Sequence, residues 1–173
     1  MHKTEFYETA VQLGFYGIER GGLFGKKDNV RKYWEDILIK LAIRPAIEKL
    51  IQENGTIRIA DLGCGSGEGY ELLTHIPVKN PFGSPHKAFL LSNNQIIRYV
   101  GFDISPSMIE QGRANYKHLP NMQFIQADLS KGFSLLAEEP FDLYFSCYSS
   151  LSHLTCDELT SLTEQIFSRI DRI

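Results

Sequence analysis

ADLGCGSGEG, residues 60–69, is the stretch that decides the architecture. It follows the short apolar run TIRI and leads into YELLTH, so an extended segment turns abruptly into a helix there. Gly63, Gly65 and Gly67 allow that sharp turn, because without a Cβ the backbone reaches positive φ and can approach a ligand closely. The helix, expected from about Ser66 to His75, opens with backbone N–H groups that have no partner inside it. Outward from this turn the pattern repeats. Strands are expected at 56–63, 99–105, 122–129 and 141–149, and helices at 105–119 and 156–173. Ser105 caps the first of these helices and Pro106 occupies its first position. Alternating strands and helices make a parallel sheet with right-handed crossovers, covered by helices on both faces. The fold class is therefore α/β, a doubly wound parallel sheet. In such sheets ligands bind beyond the carboxyl ends of the strands.

Upstream, residues 4–13 read as a short helix, and GFYGIERGGLFG (14–25) as a glycine-rich loop. A second helix begins near Asp28 or Asn29, with an expected buried stripe at Tyr33, Trp34, Ile37, Leu38 and Leu41, and Pro45 should kink or restart it. The division drawn is 1–54, a helical and glycine-rich lid segment, and 55–173, a ligand-binding domain. Residues 77–95 carry Pro77, Pro81 and Pro85 and read as a mobile inserted loop, with one helical turn at His86–Leu91. The apolar face of the helix at 156–173 is expected at Leu159, Leu162, Ile166, Phe167 and Ile170.

The chain has 173 residues, 43% hydrophobic and 23% charged, a globular balance. A net charge of -3 supplies no field for nucleic acid or anionic membrane. The cluster Lys26, Lys27, Arg31 and Lys32 reads as a solvated loop and helix start. Cys64, Cys147 and Cys156 are odd in number and scattered, so neither a disulfide framework nor a zinc site is implied, and a reducing, cytoplasmic setting is expected. No signal peptide or membrane span is read from the chain. His2, His75, His86 and His118 show no metal-ligand spacing, and no metal is expected.

With these residues in hand, Asp61-Leu62-Gly63-Cys64-Gly65-Ser66-Gly67 resembles motif I of class I S-adenosylmethionine-dependent methyltransferases, which have a Rossmann-like fold. The resemblance covers about residues 30–170 and extends to three further strand ends. It implies the strand order 3-2-1-4 and S-adenosyl-L-methionine as cofactor, with S-adenosyl-L-homocysteine as product. Asp61 would hold the cofactor's ammonium group, and the backbone of Gly63, Cys64, Gly65 and Gly67 would lie against its methionine part. Asp103, in GFDISPSM, would accept both ribose hydroxyls, with Ile104 on the adenine face and Met108 beside it. Gln126-Ala127-Asp128-Leu129 would meet the adenine, Asp128 accepting from its amino group and the backbone N–H at Ala127 reaching the ring. Ser146 ends strand four on the cofactor side. SSLSHL (149–154) is similar to the loop of small-molecule methyltransferases of the glycine N-methyltransferase kind. His153 and Tyr148 are the candidate catalytic residues there, each with a packing role as the alternative, while Asp142 takes a structural role. The family's sheet has seven strands and four are readable here, so a chain incomplete at its C-terminus, self-associating through an exposed strand-four edge, is expected.

The function implied is methyl transfer to an N or O of a small molecule. Two alternatives stay open. A nucleotide-dependent oxidoreductase is disfavoured because Glu68 stands where a dinucleotide fingerprint needs its third glycine. A non-catalytic adenosyl-binding or scaffold domain would keep the same motifs. Arg20 and Tyr16, in the glycine loop, are further candidates for contact with cofactor or substrate.

Overall fold

The computed structural model describes residues 5–13, 30–78, 89–132 and 140–170. The elements run α1 (Glu5–Gln12), α2 (Val30–Asn54), β1 (Ile57–Leu62), α3 (Glu68–Thr74), β2 (Ile96–Asp103), α4 (Pro106–Asn115), β3 (Met122–Gln126), β4 (Leu143–Phe145) and α5 (Cys156–Ile170). Short 3-10 turns stand at Asn93–Gln95, Leu129–Lys131 and Ser150–His153. The four strands form one sheet in the order β3-β2-β1-β4, and every pairing is parallel. Asp61 lies opposite Gly101, and Asp103 opposite Gln126, so the ends of β1, β2 and β3 come level along one rim.

Both faces of the sheet are covered, as its nearly continuous apolar strands require. On one face Ile47 of α2, Leu72 and Leu73 of α3 and Ile109 of α4 pack with Ile57, Ile59, Tyr99 and Phe124. On the other, Leu162 and Ile166 of α5 pack with Ala60, Leu62, Val100 and Phe102. At the rim opposite the glycine turn, the Asp142 carboxylate accepts from the Arg58 guanidinium through both oxygens, at 2.9 and 3.1 Å, and from the Arg58 backbone N–H at 2.7 Å. Arg58 and Asp142 thus lash β1 to the start of β4, the structural role the sequence suggested. No helix among the described residues is long and apolar enough to cross a membrane.

Several expectations are corrected. Helix α2 runs unbroken through Pro45 to Asn54. Its buried face is Ile39, Ile43, Ile47, Leu50 and Ile51, whereas Leu38 and Leu41 are exposed. This helix has apolar residues all round, so two stripes compete, and contact with β1 and α3 selects the second. The side chains of Tyr33 and Trp34 lie outside the described set. On α5, Leu162 and Ile166 are buried while Phe167 and Leu159 are exposed, a narrower face than expected. Strand β4 has three residues where nine were expected, so the edge it presents is short. β2 begins at Ile96, before its expected start.

Of the segment 77–95, residues 79–88 lie outside the described set. The flanks are tied down. Pro77 bridges Phe89, Leu90 N–H donates to Ile76 O at 2.8 Å, Leu91 is buried in the core, and Ser92 and Gln95 cap each other. Residues 89–91 form a bridge and a bend, not the end of a helical turn. Leu91 is what the proline count obscured: a single large apolar side chain anchors this end of the segment.

Candidate functional site

A cavity of about 370 Å³ opens at the carboxyl rim of the sheet. It is of the size that small-molecule sites occupy. The ends of β1, β2 and β3, the loop after β4 and the first turn of α5 all contribute to its wall.

The turn after β1 is held by backbone hydrogen bonds. Gly63 and Cys64 N–H both donate to Phe102 O, at 2.8 and 3.0 Å, pinning the turn to β2. Gly65 sits at φ +54°, and a Cβ placed on it would find no heavy atom closer than 4.0 Å. Gly65 is therefore not a packing glycine. Its bare face fronts the cavity. Gly67, at φ +99°, is the opposite case, since a Cβ there would lie 2.4 Å from the Tyr116 ring. Gly67 is absent from the cavity wall, and close packing by α4 accounts for it. Asn115 and Tyr116 close the turn from below, donating to Ser66 O at 3.3 Å and to Gly67 O at 3.0 Å.

Asp103, Ile104 and Met108 reach the cavity from β2 and α4. Asp103 Oδ2 accepts from Gly65 N–H and Oδ1 from Ser105 N–H, both at 2.9 Å. Burial pushes its pKa up, and the N–H donors of Ser105, Gly65 and Ile104 oppose that rise. Each carboxylate oxygen has two lone-pair sites, so these two bonds leave acceptor capacity on both. Ile104 is 44% exposed in the rim, open to a flat ligand face.

Ala127, Asp128 and Leu129 also line the cavity. The Ala127 N–H, expected to meet a ring, instead donates to Asp103 O at 2.8 Å and is spent inside the fold. Asp128 caps the 3-10 turn that follows it. Its Oδ1 accepts from Ser130 Oγ at 2.6 Å and Ser130 N–H at 3.1 Å, and Lys131 Nζ stands 3.3 Å from Oδ2. The Ser130 hydroxyl and Lys131 hold its pKa below the ordinary carboxylate value.

Asp61 is fully buried and is not part of the wall. Its Oδ2 accepts from the Tyr99 hydroxyl, and its Oδ1 has no hydrogen-bond partner. Burial is the main cause of a pKa pushed up to about 7. The Tyr99 hydrogen bond opposes the rise, and the charges of Asp103 and Glu68 add to it. Ser146 is also off the wall, its hydroxyl donating to Leu62 O at 2.8 Å and so stitching β4 to β1. Cys64 lines the wall, and burial raises its thiol well above the ordinary range, so it stays protonated.

Across the cavity wall from the end of β3 lie Cys147, Tyr148, Ser150, Leu151, His153 and Leu154, all from the loop after β4. Tyr148 and Ser149 are both in the left-handed region, at φ 54° and 59°. Non-glycine residues pay about 1–2 kcal/mol each for that conformation, and such strain gathers at functional sites. The Tyr148 hydroxyl donates to Asp36 Oδ1 of α2 at 2.5 Å. Burial first, then that carboxylate, raises the phenol far above its usual value, so the hydroxyl keeps its proton. His153 lines the cavity and is exposed.

Sequence reading missed Ser130 and Glu158 on the wall and Asp36 beside it, gave Glu68 no part in the site, and named Ser150, Leu151 and Leu154 only as part of the SSLSHL loop. For Glu158 a signal existed. Thr155-Cys156-Asp157-Glu158 is a capping box, with Thr155 N–H donating to Glu158 Oε2 at 2.7 Å and Glu158 N–H to Thr155 Oγ1 at 3.3 Å. Arg20 and Tyr16 lie outside the described residues.

Comparison with known proteins agrees with this geometry. Residues 82–171, a little over half the chain, match the family model described as Methyltransferase domain. A non-reducing polyketide synthase, tazA, of Aspergillus terreus is 28% identical over 124 residues, which are 67% of this chain and 4% of the synthase. Among solved structures, CalS10, an amino pentose methyltransferase of Micromonospora echinaspora, aligns with TM-score 0.50 and 17% identity over 78% of this chain and 44% of its own. The CurJ carbon methyltransferase aligns with TM-score 0.54 and 18% identity over 76% of this chain and 31% of its own. This chain thus spans less than half the length of each of these relatives. With the family model matching over half the chain, the chain belongs to the family described as Methyltransferase domain, and its sheet order and solved neighbours give it the Rossmann-like fold.

Proposed function

We propose that this chain binds S-adenosyl-L-methionine in the rim cavity and transfers its methyl group to an N or O of a small molecule, leaving S-adenosyl-L-homocysteine. One observation carries the reading. The bare face of Gly65 and the Asp103 carboxylate, joined by a 2.9 Å hydrogen bond, front one cavity at the carboxyl ends of adjacent parallel strands. The residues fit the ligand's groups. Asp103 keeps an acceptor site on each oxygen for the two ribose hydroxyls. Ile104, Met108 and Leu129 offer apolar surface to the adenine, and Asp128 an acceptor to its amino group. The backbone of Gly63 and Gly65 lies where the methionine chain would run. Asp61, off the wall beneath the turn, keeps a buried carboxylate oxygen with no hydrogen-bond partner, which an ammonium group in the cavity would engage through a bridging water.

The sulfonium supplies an activated methyl, and the protein's part is positioning in a dry pocket. Residues 55–173 hold the cofactor in this reading, and residues 1–54 contribute a lid to the acceptor end, with Asp36 as its contact. His153 is the candidate to take a proton from a hydroxyl acceptor. The three cysteines, none in a disulfide, suit a cytoplasmic setting.

Calorimetric titration with S-adenosylmethionine, S-adenosylhomocysteine and NAD tests the proposal. Binding of the two sulfur ligands without NAD binding is expected. NAD binding alone, or no binding of either sulfur ligand, overturns it.

A further inference from the structure

Resting on the reading above, we propose that Tyr99, in the middle of β2, is a positioning residue for the cofactor: it holds the Asp61 carboxylate by one oxygen and so keeps the other for the cofactor's ammonium group.

Strand register brings the two residues together. Tyr99 lies opposite Ile59 on β1, and Asp61 is two residues further along that strand. Side chains two apart on a strand share a face, so phenol and carboxylate stand on the same side of the sheet. Both residues are fully buried, and the Tyr99 hydroxyl donates to Asp61 Oδ2. The Tyr99 ring is itself fixed, edge-on to Tyr70 with centroids 5.4 Å apart and tilted against Phe124 at 6.3 Å. Room for the carboxylate comes from α3. A Cβ on Gly69 would lie 2.2 Å from Asp61 Oδ2, 3.0 Å from Asp61 Cγ and 2.9 Å from the Phe145 ring. Gly69 has no left-handed φ to explain it, and the slot that it leaves for Asp61 does.

The second oxygen points to a ligand. Asp61 Oδ1 is the one buried side-chain polar atom without a hydrogen-bond partner among the described residues. Buried polar atoms are otherwise paired almost without exception. The amides of the adjoining turn do not reach it. Those of Gly63 and Cys64 go to Phe102 O, that of Gly65 to Asp103 Oδ2 and that of Gly67 to Cys64 O. The donor for Oδ1 therefore comes from outside this network, and a cationic group makes the strongest such bond to a carboxylate. Asp61 is off the cavity wall, so the ammonium group meets it through a water.

Tyr99 serves the charge as well as the place. Burial disfavours the ionised form of Asp61, and the Tyr99 hydrogen bond opposes that effect. The charged form is the one that an ammonium group recognises. Tyr99 does not line the cavity and acts through Asp61, which makes it a positioning residue and not a catalytic one.

Two ligands separate this role from support of the fold: S-adenosylhomocysteine, and 5′-methylthioadenosine, which keeps the nucleoside and the sulfur but has no amino-acid part. Both are titrated calorimetrically at pH 8, above the value of about 7 to which burial lifts Asp61. Tyr99→Phe should weaken S-adenosylhomocysteine about tenfold and methylthioadenosine by no more than about twofold. Gly69→Ala, which drives the carboxylate from its slot from a different element, should give the same selective loss. Asp61→Asn should weaken S-adenosylhomocysteine at least as much. Adding Tyr99→Phe to Asp61→Asn should cause no further loss, because the two residues act as one unit. Equal weakening of both ligands by Tyr99→Phe, an unchanged affinity for S-adenosylhomocysteine, or additive losses in the double variant overturns the proposal. A wild type that binds neither ligand is a different result, and it overturns the cofactor reading beneath.

Discussion

Gly65 donates its backbone N–H to the Asp103 carboxylate at 2.9 Å, across 38 residues of sequence. The bond couples the turn after β1 to the end of β2, so each shapes the other's contribution to the cavity. Asp103→Ala removes the acceptor for Gly65, for Ser105 and, in the proposed complex, for two ribose hydroxyls. Affinity for S-adenosylhomocysteine should fall by about 1.5–3 kcal/mol or more, at least tenfold. Asp103→Asn retains one acceptor oxygen and should lose less. Isothermal titration of both variants decides it, and an unchanged affinity in the alanine variant removes Asp103 from the site.

Gly65 and Gly67 should respond oppositely to one methyl group. Gly67→Ala drives a Cβ to 2.4 Å from the Tyr116 ring at a backbone angle of +99°. It should lower Tm by roughly 5–10 °C, the equivalent of about 2–3 kcal/mol for a domain of this size. Gly65→Ala meets no atom within 4 Å other than Glu68 Oε2 at its edge. It should fold with a loss of about 1 kcal/mol from its left-handed angle, yet bind the cofactor much more weakly. Melting curves alongside titrations separate the two effects, and a Gly65→Ala variant with wild-type affinity would refute the close-approach role.

Asp61 gives a pH signature. Its pKa is about 7 in the fold and near 4 in the unfolded chain. Between those values the folded state binds more protons, so stability falls as pH rises through that window and levels off above 7. Asp61→Asn keeps an acceptor for Tyr99 and cannot ionise. The stability difference between Asp61→Asn and wild type should therefore grow in the variant's favour from pH 4 to 7, reaching a few kcal/mol. Urea unfolding at pH 4.5, 6 and 8 measures it. A difference independent of pH would mean that Asp61 ionises as readily inside as outside.

At the far rim, Asp142→Ala strips three acceptor bonds from Arg58. The pair is largely shielded, with side chains 29% and 14% exposed, so one lost partner should cost about 2–3 kcal/mol. Cofactor affinity should not change. A tenfold loss of affinity would show that the lower rim communicates with the cavity.

The amide of Leu90, bonded to Ile76 O and followed by buried Leu91, should exchange slowly with deuterium. Exchange as fast as a free peptide would bear out the expectation of a mobile segment up to residue 95.

The fold was legible in the sequence because its signals are local. A glycine turn between an apolar run and a helix, repeated alternation, and Ser105-Pro106 at a helix start each act over a few residues, and together they fix a parallel sheet. That Gly65, Asp103 and Asp128 come to one cavity was legible for the same reason, since they stand at or just past the ends of successive strands. What stayed hidden depends on contacts between distant segments. Gly67 looks like Gly65 until the Tyr116 ring is seen packed against it. Ala127 looks available until its N–H is seen on Asp103 O. The buried face of α2 cannot be chosen between Leu38 and Ile39 without knowing which strand it meets. The Asp36–Tyr148 bond joins residues 112 positions apart, and no pattern along the chain announces it.

Helix α2 carries Ile47 into the core and Asp36 to the Tyr148 hydroxyl on one uninterrupted rod. Eleven residues separate the two, about 16 Å at 1.5 Å per residue. The rod is a lever with its fulcrum in the core. A small tilt at Ile47, from a larger or smaller side chain beneath it, is magnified into a displacement of the phenol at the other end. The shape of the cavity wall at Tyr148 is thus open to substitutions that never touch the cavity, through the seat of a single buried isoleucine.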